Sequence, residues 1–107
     1  MFLYNKTMEK YKLIDFEKDF DFFDEMPRGT YLDDELLIFT KFSRYIGPLT
    51  MQLLPNGGIQ SLFNYQIIIK VNNGYLSVQE LIVDDKVMSS KQFILEHGNE
   101  LINKVLF

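Results

Sequence analysis

The chain has no cysteine and no tryptophan, and only one histidine, in 107 residues. Without cysteine there is no disulfide framework, no thiolate metal site and no cysteine nucleophile. It fits a reducing compartment. No apolar run reaches the ~20 residues of a membrane helix. The opening stretch MFLYNKTMEK lacks the long apolar core and small-residue cleavage site of a signal peptide. The expectation is a soluble, cytoplasmic protein with no membrane association. Positive charge is also scarce. Eleven Lys and Arg face fifteen Asp and Glu, for a net charge of −4. A nucleic-acid binder needs a basic face, because phosphate neutralisation supplies most of its affinity. The acidic excess lies in residues 1–35, and residues 36–107 carry about balanced charge. A basic patch here has to be assembled in space from Lys41, Arg44, Lys70, Lys86 and Lys91. The plainer reading of those five is scattered solvating charge.

What is abundant is apolar and aromatic. Hydrophobic residues make up 47% and aromatic residues 15%, with ten Phe and six Tyr. That excludes the disordered class and supports one small domain over 1–107. In residues 8–25, Leu13, Phe16, Phe20 and Phe23 recur at steps of three or four, which predicts a helix. Pro27 should end it near Met26. The division is therefore an N-terminal helical segment, 1–26, and a strand-rich unit, 27–107. Short strands are expected after Thr30, from Leu36 to about Phe42, over 49–54, over 59–63, over 65–71, and from Tyr75 to Val83. On the last of these, Leu76, Val78 and Glu80 alternate onto one side. Turns are expected at Asp33-Asp34, Pro55-Asn56-Gly57-Gly58, Asn72-Asn73-Gly74 and Asp84-Asp85. Ser89 or Ser90 should cap a short helix ending at His97, with Gly98 as its stop. The stretch LINKVLF closes as an extended or irregular piece. The fold class is mainly β: a small barrel, OB-like, with an N-terminal helix and a short helix near the C-terminus.

The chemistry of catalysis is thin. His97 has no orienting partner in sequence, and a helix-end position explains it. Asp33-Asp34 and Asp84-Asp85 sit at turns, without the organised oxygen spacing a hard cation needs. The Gly-rich turn precedes a strand and not a helix, so it is no phosphate loop. Ser43, Ser61, Ser77, Ser89 and Ser90 belong to no nucleophile motif. No catalytic residue, metal ligand or cofactor is assigned.

Three blocks of sequence resemble one known family. NGYLSVQELIVDDKVMSSKQF is similar to the end of methionyl-tRNA formyltransferases, through Gly74, Leu76, Val78, Glu80, Leu81, Lys86, Met88, Ser89 and Phe93. MPRGTYLDDELLIF resembles an upstream segment through Pro27, Gly29, Tyr31, Leu36 and Ile38. GGIQSLFNYQIIIKV does so through Gly58, Ile59, Ile67 and Ile69. The blocks keep the family's order across about residues 22–98. Ile82 replaces the family's Gln, Asp85 replaces a Gly, and one of two lysines remains as Lys86. The resemblance implies the family's C-terminal OB-like barrel without its catalytic domain. It implies a non-catalytic accessory module, with tRNA or a separate catalytic subunit as partner. Lys41, Arg44, Lys70, Lys86 and Lys91 are then the candidate polyanion contacts. Related barrels occur in sugar N-formyltransferases, so that origin stands beside it. A third expectation is an interaction or homodimerisation module built on a strand edge or the Phe-rich segment.

Overall fold

The computed structural model describes residues 11–18, 26–47 and 54–107. Seven strands form one sheet: β1 (Lys12–Leu13), β2 (Arg28–Leu32), β3 (Glu35–Arg44), β4 (Ile59–Ser61), β5 (Ile67–Val71), β6 (Gly74–Val83) and β7 (Lys86–Ser89). The order is β1-β2-β3-β6-β5-β4, and β7 also pairs with β6. Among the described strands, β1–β2 is the one parallel pair. One α-helix, α1 (Ser90–His97), follows β7.

The hairpin turns fall where the sequence places them. Leu32 pairs with Glu35 across Asp33-Asp34, Val71 with Gly74 across Asn72-Asn73, and Val83 with Lys86 across Asp84-Asp85. Asp84 and Asp85 both take positive φ, at 52° and 65°. That is the mirror-image turn whose twist matches the flanking strands. Helix α1 also starts and ends as expected. The Ser89 hydroxyl accepts from the Gln92 N–H at 3.1 Å, and Gly98 closes the helix at φ 71°.

The N-terminal helix is not what the described part of 8–25 shows. Residues 11–18 are extended and then turn, while 8–10 and 19–25 lie outside the described residues. Lys12 N–H donates to the Pro27 carbonyl (3.0 Å) and Ile14 N–H to the Gly29 carbonyl (2.9 Å). Pairing with β2 therefore overrides the helical periodicity. Phe16 still reaches the core, but Leu13 is 61% exposed. The expected strand at 49–54 falls outside the described residues except Leu54, which is not in a strand. The strand after Ile59 ends at Ser61 and gives way to a 3-10 turn, Phe63–Tyr65. Strand β7 was not expected from the sequence at all.

The core lies on one side of the sheet. Phe39, Ile67, Ile69, Leu76, Val78 and Leu81 sit at its centre, and Phe93 of α1 packs against them. On β3 the inward residues are Leu37, Phe39 and then Phe42, while β6 runs Leu76, Val78 and then Leu81. Both strands skip a step at the irregular pairing around Lys41 and Glu80. Such an irregularity bends a sheet and re-aims its side chains. Glu80 thus leaves the side of Leu76 and Val78, contrary to simple alternation. Its carboxylate takes a bond from the Thr40 hydroxyl at 2.9 Å and lies 3.7 Å from the Lys41 ammonium. Ile38 and Ile82 are register partners, almost fully buried outside the main core cluster. Part of β3, whose run Leu36 to Phe39 is continuously apolar, is therefore covered on both faces.

The strands do not close into a barrel by pairing with one another. Instead, the segment 103–107 bonds both open edges. Ile59 N–H donates to the Lys104 carbonyl (2.8 Å), and Leu106 N–H to that of Gly57 (2.8 Å). On the other side Phe107 and Tyr31 exchange two backbone bonds, at 3.1 and 2.6 Å. Gly57 makes this approach possible. A Cβ there would sit 2.5 Å from the Leu106 carbonyl oxygen, and its φ of 93° also favours glycine.

Candidate functional site

The turns Asp33-Asp34 and Asp84-Asp85 belong to two hairpins that share the β3–β6 pairing. Both therefore project at one end of the sheet, since Leu37 is in register with Val83. A cleft of about 710 Å³ lies there. Leu32, Leu36, Ile38, Ile82 and Leu101 supply its apolar wall. Asp33, Asp34, Glu35, Asp84, Asp85 and Glu100 supply six carboxylates. Among the described residues Lys104 is the one lysine in the lining, and it is bound to Asp33 at 3.1 Å. The lining is thus about −5, against −4 for the whole chain. A field of one sign concentrated in a cleft attracts ions of the other sign.

His97 also lines the cleft, and it lines a smaller neighbouring cavity of about 260 Å³ as well. The ring stacks on Phe93 with centroids 4.0 Å apart. Its Nδ1 lies 2.9 Å from the Phe93 carbonyl. A carbonyl only accepts, so Nδ1 is the donor in this contact. His97 stands at the helix end, as expected, and is half-buried there. A triad-like arrangement is not what surrounds it: the orienting partner is a backbone carbonyl and not a carboxylate. Among the described residues no group of three or more His, Asp or Glu is placed to hold a metal ion. No described helix is long and apolar enough to cross a membrane.

The five cations named from the sequence do not form one face. Lys41, on β3, lies beside Glu80. Arg44, at the end of β3, donates to the Asn73 carbonyl at 3.4 Å. Lys70, on β5, donates to the Asn56 side chain and the Val71 carbonyl, both at 3.1 Å. Arg44 and Lys70 flank β6 at the Gly74 end, with Arg44 opposite Leu76 and Lys70 opposite Tyr75. Their backbones are about 10 Å apart, two inter-strand spacings. Lys86 is exposed at the start of β7, beside the acidic turn and far along β6 from that pair. Lys91, on α1, holds its ammonium 5.0 Å from the centre of the Tyr65 ring.

Sequence reading missed the cleft because its parts are distant in the chain. The two acidic turns were legible as turns, but nothing local says that they meet. Lys104 and Glu100 join them only through the path of the chain after α1. No protein-family model matches the chain, and no curated protein matches it.

Proposed function

We propose that this chain is a non-catalytic binding module whose working surface is the acid-rimmed cleft, and that it docks a positively charged segment of a partner protein. The observation that carries the reading is the concentration of six carboxylates on an apolar-walled cleft of about 710 Å³. Its one histidine is oriented by a backbone carbonyl. Such a lining offers long-range attraction to cations, and the half-buried Leu36 offers a place for the aliphatic stem of a Lys or Arg. The test is titration with a short amphipathic Lys/Leu peptide. Binding should weaken as salt rises and should fall in a variant carrying Asp84→Asn, Asp85→Asn and Glu100→Gln. Unchanged affinity in that variant removes the cleft from the reading.

The formyltransferase resemblance supports the same class, an accessory module working beside a separate catalytic subunit. Its three blocks fall on β2–β3, on β4–β5 and on β6 through α1. On this reading the segment 103–107 completes an OB-like barrel, because it bonds β4 on one side and β2 on the other. The polyanion partner would be tRNA, through Lys41, Arg44, Lys70, Lys86 and Lys91. A sugar N-formyltransferase origin fits the dispersal of those cations better. A gel shift with tRNA at several salt concentrations separates the two, since phosphate contacts weaken steeply with salt.

A second reading, self-association, is favoured by one patch. Leu13 and Phe107 are 61% and 72% exposed, and with Val105 they line a cavity of about 510 Å³. Clustered exposed apolar side chains mark contact surfaces. Sedimentation showing a monomer at every concentration removes this reading.

A further inference from the structure

Tyr65 stands in a backbone conformation that costs it energy. Asn64 and Tyr65 both take positive φ, at 55° and 59°. Asn tolerates that region, but a bulky side chain does so rarely. Glycine at position 65 would make the same turn without strain. Burial does not offset the cost, because the Tyr65 ring is half in solvent and Phe63 is 55% exposed. The turn is nonetheless well held. Phe63 N–H donates to the Ser61 hydroxyl at 3.1 Å, Tyr65 N–H to the Leu62 carbonyl at 3.2 Å, and Gln66 N–H to the Phe63 carbonyl at 3.1 Å. Two exposed aromatic side chains are thus carried on a strained, hydrogen-bonded turn. Strain of this kind is kept where it positions groups for a task.

The setting narrows the task. Lys91 puts an ammonium 5.0 Å from the Tyr65 ring centre. The stretch Ser61–Gln66 carries no charged side chain. Glu80, in register with Ser89 just before α1, is held by Thr40 and Lys41. An exposed Tyr65 ring beside the Lys91 ammonium, with Phe63 exposed two residues before it, suits a ligand with a flat face and one negative group.

We propose that Phe63 and Tyr65 are a stacking platform for a nucleotide, with the base on the exposed rings and the phosphate on Lys91. The platform is separate from the acid-rimmed cleft and stands without it. Base stacking on an aromatic side chain contributes about 1–3 kcal/mol per base, roughly 5- to 150-fold in affinity. A free nucleotide and a nucleotide unit in a single strand share this chemistry.

The experiment titrates the full chain with adenosine monophosphate, adenosine and a single-stranded oligoadenylate hexamer, read by tyrosine fluorescence and by chemical shifts. Tyr65→Gly should weaken binding about tenfold or more and raise the melting midpoint. Phe63→Ala should also weaken binding. Lys91→Gln should weaken the phosphate-bearing probes, leave adenosine unchanged, and lower the slope of log affinity against log salt for the hexamer by about 0.7. Binding of the monophosphate identifies a free nucleotide as sufficient. Binding of the hexamer alone identifies a strand. The proposal is overturned if no probe binds at millimolar concentration, or if Tyr65→Gly melts lower than the parent chain. Failure here leaves the peptide titration of the cleft unaffected.

Discussion

Gly57→Ala tests the seam that joins the two edges of the sheet. The added Cβ would lie 2.5 Å from the Leu106 carbonyl oxygen and 3.2 Å from the Phe16 ring. The φ of 93° adds strain of about 1–2 kcal/mol for any residue with a Cβ. The chain then has two ways to respond. It can shift 103–107 by several tenths of an ångström, weakening the bonds from Ile59, Asn103 and Leu106 that hold it to β4. Each such bond contributes a net ~1 kcal/mol. Or it can release the segment, losing those bonds, the pair with Tyr31 and the burial of Leu106, which is 2% exposed. Together these losses come to about 7 kcal/mol, but five freed residues recover about 1 kcal/mol or more each. With the φ strain added, both routes come to about 3 kcal/mol of destabilisation. For a domain of this size that lowers the melting midpoint by roughly 10–20 °C. Equilibrium denaturation gives the stability change, and amide hydrogen exchange at Leu106, Phe107 and Tyr31 shows whether the seam opens. A loss below about 1 kcal/mol with protection intact would falsify the account of Gly57 as the residue that admits the segment.

Further expectations concern the core, the helix cap and the acidic turn. Phe39→Ala should cost about 3–5 kcal/mol by denaturation, because its ring is fully buried at the centre of the core; a cost under 1 kcal/mol contradicts that placement. Ser89→Ala should cost about 1 kcal/mol by removing the acceptor for the Gln92 N–H. Lys41→Met should change stability by less than about 1 kcal/mol, since the Lys41 side chain is 69% exposed and its pair with Glu80 is screened. Asp85→Gly should raise the melting midpoint, because it relieves positive φ and one repulsion among the carboxylates. The same change should weaken binding of a basic peptide, and a variant that is more stable with unaltered binding separates the turn from recognition.

The local signals were legible wherever the cause was local. Asp33-Asp34, Asn72-Asn73 and Asp84-Asp85 read as turns because positive φ is a property of the residue itself. The Ser89 cap and the Gly98 stop read for the same reason, and the apolar runs of β3 and β6 marked a sheet with a buried face. Residues 11–18 show where this fails. Helical spacing of Leu13 and Phe16 was present, but backbone bonds to Pro27 and Gly29 decided the conformation.

The sequence by itself therefore determined the class of fold, the hairpin positions and the short helix, since propensity and turn chemistry act over a few neighbouring residues. Only the tertiary structure decided which residues meet. It brought the two acidic turns together with Glu100 and Lys104 into a cleft, and it dispersed the five cations. It also ran 103–107 between the sheet edges and set Tyr65 beside Lys91, with Phe63 exposed on the same turn. These outcomes depend on strand order and register, which are set by burial and hydrogen bonding across long separations.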